Sequence, residues 1–329
     1  MRNQSADEQN SDNTGLTNTD GIDRRNFLRC MAWVGTGIVW TMAGGVPKST
    51  VFAAEGAAAA AKPAGEFSFV QISDSHIGFN KAANQDVAGT LKHAIDRLNR
   101  LPGHHDFLLH TGDISQSSKA AEFDIAEQII KSARTGRTFY VPGEHDTALD
   151  DGALYRERFG KDTKGTGWYS FAHRGVHFFG LNNSRQVDAM GALGEQQRAW
   201  LKTEVANLSA STPIVVFAHI PLWMVYPDWG WGTQDGAEVL GQLKRFGSVT
   251  VLNGHIHQVM QKVEGNVSFH TAASTAFPQP APGQAPHAGP MTVPAGKLRD
   301  VLGVTNVKYV RKQSHLAIVD STLADKYEV

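Results

Sequence analysis

Three short apolar runs between residues 67 and 143 each end in a turn that is followed at once by a carboxylate or a histidine. FSFVQIS (67–73) leads into Asp74 and His76. DFLLHTG (106–112) leads into Asp113, and RTFYVPG (137–143) into Glu144, His145 and Asp146. Between these runs, Val87, Leu91, Ile95 and Leu98, and then Phe123, Ala126, Ile129 and Ile130, recur three or four residues apart. That is the period of a helix face, and it predicts helices over 84–101 and 118–134. Strands alternating with helices of this length specify βαβ units, a mostly parallel sheet and an α/β fold.

The alternation continues downstream. GWYSFAHRGVHFFGLNN (167–183) has the pattern of a hairpin turning at Arg174-Gly175. Helices follow at 194–208 and 234–246, with the strands PIVVFAH (213–219) and SVTVLNGHIH (248–257) after them. These strands end on His219 and on His255 with His257. Shorter β segments are expected at 258–263, 267–271, 304–311 and 314–319. Ligands of open α/β sheets bind outside the carboxyl ends of the strands. Five strands would therefore deliver Asp74, His76, Asp113, Glu144, His145, His219, His255 and His257 to one edge.

Composition narrows the chemistry at that edge. A chain of 329 residues, 41% of them hydrophobic, is ample for one large core. A net charge of −1 gives no long-range field for a nucleic-acid polymer or an anionic membrane. The single cysteine is Cys30, near the N-terminus, so any metal further along must be held by nitrogen and oxygen. Carboxylates and imidazoles suit Mn, Fe, Co, Ni or Zn. There are more donors than one tetrahedral ion uses. Two ions about 3.5–4 Å apart, bridged by a carboxylate, would use them all, supply an activated hydroxide and favour in-line displacement at phosphorus.

The N-terminal region reads differently. DRRNFLRC (23–30) precedes MAWVGTGIVWTMAGGV (31–46) and a small-residue zone, VFAAEGAAAAA (51–61). This is the layout of an export signal. Arg24-Arg25 followed by Asn26-Phe27-Leu28 resembles a twin-arginine signal, with Asp23 where Ser or Thr is usual. The apolar run is short and glycine-rich for a membrane span, which needs ~20 apolar residues. The expected organisation is a signal over 1–53, an Ala/Pro/Gly linker over 54–65 and one domain over 66–329. The resemblance implies passage through the twin-arginine export machinery, no stable span in the mature chain, and a periplasmic or secreted location.

The ordered motifs resemble the calcineurin-like metallophosphoesterases, whose pattern is D-x-H, G-D, G-N-H-D/E, a lone His and G-H-x-H. The resemblance covers Asp74 to His257. VPGEHD, FAHIPL and NGHIHQ look closest to the class III cyclic nucleotide phosphodiesterases. It implies a four-layer α/β/β/α sandwich. It implies one ion held by Asp74, His76, Asp113 and His257, with Asp113 bridging to a second held also by His219 and His255. It implies that His145 is the catalytic group beside the substrate and not a ligand. Asp146 is adjacent and a candidate to orient His145.

Two positions depart from the family. Glu144 stands where the family has an asparagine ligand. With two divalent ions, two carboxylates and a bridging hydroxide, the family core keeps one net positive charge, and Glu144 cancels it. Glu144 therefore favours a more highly charged ion, makes the site less electrophilic, or swings aside. Gln116 stands where purple acid phosphatases have a tyrosine ligand and protein phosphatases an aspartate that orients the catalytic histidine; neither role transfers directly.

The expected function is an exported dinuclear-metal phosphoesterase acting on a small phosphate ester, with phosphodiesters and cyclic nucleotides as the leading substrates. The alternative is a binding protein of the same fold with little turnover because of Glu144. Two long loops remain. PLWMVYPDWGWGTQD (221–235) carries Trp223, Tyr226, Trp229 and Trp231, either as a wall for a base or sugar or as a loop packed down on itself. Residues 277–297 are rich in Pro, Ala and Gly, and a loop of that length is usually functional or disordered. His110, His173, His177, His270 and His315 fall within strand patterns, and His93, His104, His105 and His287 in exposed or loop positions.

Overall fold

A computed structural model describes residues 66–184, 186–187, 189–310 and 316–325, with the backbone alone of 36–43 and 46–53. The chain divides into two units, Met1–Ala60 and Ala61–Val329. In the first, Thr36–Ala43 (β1) pairs antiparallel with Val46–Ala53 (β2). The arginine pair and the rest of the signal and linker lie outside the described residues.

The second unit is built around two sheets. One has five strands: Phe67–Ile72 (β3), His105–His110 (β4), Thr135–Tyr140 (β5), Gly303–Tyr309 (β12) and Ala317–Thr322 (β13), in the order β13-β12-β3-β4-β5. The other has six: Tyr169–His173 (β6), Val176–Gly180 (β7), Ile214–Phe217 (β8), Val249–Asn253 (β9), Met260–Glu264 (β10) and Val267–Thr271 (β11), in the order β10-β11-β9-β8-β7-β6. In the six-stranded sheet the central pairs are parallel and the two outer hairpins antiparallel, whereas in the five-stranded sheet β3, β4 and β5 run parallel and β12 pairs antiparallel with both β3 and β13. Periodicity alone predicted one mostly parallel sheet. The division into two is a property of pairing between distant strands, which periodicity does not encode.

Alternation along each strand builds the layers. Successive side chains point to opposite faces. Phe67 and Phe69 of β3, Phe107 and Leu109 of β4, Phe178 of β7, Val215 and Phe217 of β8 and Leu252 of β9 meet between the sheets. Val70, Ile72 and Leu108 face the other way, onto the helices Val87–Leu98 (α1) and Ala120–Ile130 (α2). Phe179, Ile214, Val216, Val249 and Val251 face Glu195–Ala206 (α5) and Gly236–Leu243 (α6). The result is the four-layer α/β/β/α sandwich. Phe67, Phe69, Phe107 and Phe178 form a buried aromatic cluster, and each fully buried ring contributes about 1.5–3 kcal/mol.

Helix ends follow local chemistry. Asp86 caps α1 by accepting from Gly89 N at 2.8 Å, which starts the helix at Val87 rather than 84. The short helices Glu144–Thr147 (α3), Ala153–Phe159 (α4) and Leu298–Val301 (α7) complete the unit. Among the described residues no helix is long and apolar enough to cross a membrane.

Candidate metal centre

The carboxyl ends of three strands of one sheet and two of the other converge. Asp74 and His76 follow β3, Asp113 follows β4, Glu144 follows β5, His219 follows β8, and His255 and His257 follow β9. Beneath them Gln71 of β3 donates to Thr111 Oγ1 at 3.0 Å and to Asn253 O at 3.1 Å. Asn253 in turn donates to Ala218 O and Ile220 O. This buried amide pair ties the two sheets together at the base of the site.

The turns are tight. Gly112, at φ +95°, leaves no room for a Cβ, which would lie 2.6 Å from His219 Nδ1. At Gly254 a Cβ would lie 2.6 Å from Asp74 Oδ2. Asp74, His76, Asp113, His255 and His257 all have positive φ, from 43° to 69°. Asp and His tolerate this region better than most residues, and each still costs on the order of 1 kcal/mol.

Two separate groups of donors result, Asp74 with His76 and His257, and Glu144 with His219 and His255, each within 4.8 Å of one another, and two further groups that contain Asp113, with His76 and His145 and with Asp74 and His219, overlap them. Asp113 stands between the two separate groups. Its Oδ2 is 3.5 Å from His76 Nε2 and 3.4 Å from His219 Nε2. Its Oδ1 accepts from the backbone N of His145 at 3.0 Å, which leaves Oδ2 to face both groups. Glu144 does not swing aside. It is 5% exposed, with Oε1 3.0 Å from His255 Nδ1 and Oε2 3.0 Å from His219 Nε2.

The proton positions fit metal ions. A carbonyl only accepts, so His219 Nδ1–H donates to Thr111 O at 2.7 Å and His257 Nδ1–H to Phe277 O at 2.6 Å. His76 Nδ1–H donates to Gln116 Oε1 at 3.1 Å. With Nδ1 committed in this way, each ring turns its Nε2 to the site. Those of His76 and His257 face each other at 3.1 Å. Two lone pairs at that distance repel unless a cation stands between them. Glu144 Oε2 and His219 Nε2 are buried with no hydrogen-bond partner among the described residues. Burial opposes charge on His219, yet Asp113 and Glu144 outweigh it and hold its pKa well above the usual value. Burial brings that of His76 down to about 3, so this ring stays neutral and able to ligate.

His145 is half-buried beside this centre, with its ring centroid 4.9 Å from that of His76. Its Nδ1–H donates to the main-chain oxygen of Gln116 at 2.8 Å, which leaves Nε2 uncommitted. Burial opposes its protonation, but Asp113 and Glu144 prevail and raise its pKa. Asp146 does not orient this ring. Its Oδ2 accepts from Ile114 N and Gly143 N, and its Oδ1 from Ser115 N and Ser115 Oγ, so it braces the loop after β4 instead.

Three contributors were not singled out for these roles in the sequence. Gln116 reaches His76 through its side-chain oxygen and His145 through its carbonyl, with its Nε2 also 3.2 Å from His145 Nδ1. Phe277 packs its ring 4.8 Å from those of His76 and His257. Gln279 Nε2 donates to His255 O at 2.9 Å. The long 277–297 loop is thus anchored at the centre by its first residues. The aromatic loop packs on itself: Trp229 and Trp231 meet edge to face and bury Ile256, between the two histidines of G-H-x-H. Trp231 is fully buried and offers no stacking wall.

A model of the calcineurin-like phosphoesterase family matches residues 67–259. The chain is 24% identical over 225 residues to a probable glycerophosphodiester phosphodiesterase GpdQ of Arcobacter nitrofigilis, covering 62% of this chain and 77% of that protein. It is 28% identical over 222 residues to serine/threonine-protein phosphatase CPPED1 of Danio rerio, covering 59% and 71%. A dimetal phosphatase from Danio rerio shares the fold, with a TM-score of 0.55 at 14% identity over 79% of this chain and 97% of that one. Other relatives include a probable cyclic nucleotide phosphodiesterase of a Psychrobacter species, 25% identical over 51% of this chain and 45% of that protein. The chain belongs to the calcineurin-like phosphoesterase family and is a metal-dependent phosphoric ester hydrolase that works with two metal ions.

Proposed function

We propose that this protein is an exported phosphodiesterase whose seven ligands are Asp74, His76, Asp113, Glu144, His219, His255 and His257, with His145 as its catalytic acid. The observation that carries the reading is Asp113 Oδ2, set between two donor groups at 3.5 and 3.4 Å. Bound there, two ions such as Mn, Fe or Zn would neutralise phosphate oxygens and activate a water. The protein's own part is positional. Asp113 shares one oxygen between both groups, while His145 N–H holds its other oxygen still. His145 keeps Nε2 free to give a proton to the leaving alkoxide, help worth typically 10²–10⁴-fold.

Glu144 supports a diester over a monoester. It adds a negative charge to the centre, and a singly charged diester is repelled less than a doubly charged monoester. Relatives named as glycerophosphodiester and cyclic nucleotide phosphodiesterases support this preference, although another is named as a serine/threonine-protein phosphatase. A non-catalytic binding protein would have no use for a His145 whose Nε2 is left open beside the ions. Export rests on Arg24-Arg25 and the apolar run after it, with 1–53 as the signal, 54–65 as linker and 66–329 as the catalytic domain. The test is hydrolysis of bis(4-nitrophenyl) phosphate and 4-nitrophenyl phosphate by the Mn(II)-loaded protein. Diester turnover with a higher kcat/KM is expected. Two bound ions without turnover of either ester would refute the enzyme reading.

A further inference from the structure

We infer that Glu144 gives the two ion sites matching donor sets, so that the second ion is retained as the first is. This rests on the dinuclear reading above. One group has Asp74, His76 and His257, and the other Glu144, His219 and His255. Each holds two imidazoles and one carboxylate, and each shares Asp113. Had residue 144 been neutral, the second group would hold its ion with only a share of Asp113 for negative charge. With Glu144 it has a whole carboxylate of its own.

The geometry is that of a ligand and not of a neighbour. Glu144 is the first residue past Gly143, at the start of α3, and its arm is long enough to place one oxygen against each histidine. Oε1 lies 3.0 Å from His255 Nδ1 and Oε2 3.0 Å from His219 Nε2. The carboxylate is buried, and Oε2 has no hydrogen-bond partner among the described residues. His219 Nε2 is likewise without one, because its other nitrogen is spent on Thr111 O. A buried carboxylate oxygen and an imidazole nitrogen 3.0 Å apart, with no other group bonded to either, define a place for a cation, a proton in the ion-free chain and a metal ion when one is bound. Two imidazoles and a carboxylate with open positions suit a first-row divalent ion such as Fe(II), and the hard oxygens suit Mn(II). Asp74 fills the matching place in the first group, with Oδ1 3.2 Å from His257 Nε2.

The test uses the full chain with Mn(II) as the probe. Wild-type protein and E144Q are loaded, passed through gel filtration, and analysed for metal per chain, with a calorimetric titration of each. Wild type is expected to keep two ions. E144Q, equal in shape and without the charge, is expected to keep one. Its second dissociation constant should rise by more than about 100-fold, beyond the 10–100-fold that loss of a group supporting a ligand costs. Should E144Q fail to fold, E144D against E144N gives the same comparison, with the charged variant binding the second ion more tightly. Wild type keeping one ion, or E144Q keeping two at unchanged affinity, overturns the inference. A wild-type chain that binds no Mn(II) overturns the dinuclear reading itself.

Discussion

Replacing Gln116 with alanine separates two roles that this residue performs through different atoms. Its side-chain oxygen accepts from His76 Nδ1–H at 3.1 Å, and its main-chain oxygen accepts from His145 Nδ1–H at 2.8 Å. Alanine removes the first, together with the 3.2 Å contact of Gln116 Nε2 with His145 Nδ1, and keeps the second. His76 is 2% exposed, so water does not readily replace the lost acceptor. A buried donor left without a partner costs about 1–3 kcal/mol. That is about 5–150-fold in an equilibrium constant. His76 escapes the cost by moving its hydrogen to Nε2, the atom that faces His257 and Asp113. The penalty therefore falls on ion binding. Hydrolysis of bis(4-nitrophenyl) phosphate by Gln116→Ala, followed across a range of Mn(II), should need about 5–150-fold more metal. At saturating Mn(II), kcat should return close to that of wild type. If the loss persists with two ions bound, the amide acts on His145 or on the substrate, and the argument from His76 is wrong.

His145→Ala should lower kcat about 10²–10⁴-fold while two ions stay bound, checked by turnover and metal analysis on one sample. Affinity for Mn(II) should rise with pH through neutrality, because the proton that Asp113 and Glu144 hold on His219 must leave before Nε2 can ligate; calorimetry in buffers of different ionisation enthalpy should show proton release, and its absence would contradict the raised pKa. For the ion-free chain, the folded pKa of His219 lies above its unfolded value. Its stabilising contribution is therefore full below ~6.5 and lost as pH rises through the raised value, which thermal melts in chelator would show. Changing Arg24 and Arg25 both to lysine should leave the precursor in the cytoplasm; normal export of that variant would remove the twin-arginine reading.

How far the sequence reveals this site depends on the range of each interaction. The eight side chains at the centre each follow an apolar run within a few residues, so strand ends alone placed Asp74, Asp113, Glu144 and His219 at one edge. Which sheet each strand joins was not legible that way. β3, β4 and β5 pair with one another, whereas β8 and β9 join β7 and β11. Only the arrangement of motifs, through the family resemblance, implied two sheets. Asp146 shows the opposite failure. Its adjacency to His145 suggested a partnership, but a side chain one position along a short helix points elsewhere, and it found three donors in the loop after β4 and a fourth in Gly143 N. Phe277 lies twenty residues past His257 in a run without periodicity, and nothing local announces that its carbonyl fixes that ring.

The backbone at the centre explains why these contacts come as a set. Left-handed residues persist where their surroundings over-determine them. Asp74 N donates to Gly112 O at 3.0 Å, His76 N to Asp113 O at 2.9 Å, and His255 N to both oxygens of Asp74 at 3.1 Å. The loop after β3 is thus held by the loop after β4, and the loop after β9 by the loop after β3. The bonds run from one sheet to the other at the point where Gln71 and Asn253 already join them. His76 is pinned by Asp113 and His255 by Asp74, each itself left-handed, so these turns cannot relax one at a time. A relaxed turn would swing its imidazole or carboxylate away, and the two donor groups would lose the Asp113 oxygen that they share. The same network that joins four of the five left-handed residues therefore also fixes the spacing on which a two-ion centre depends.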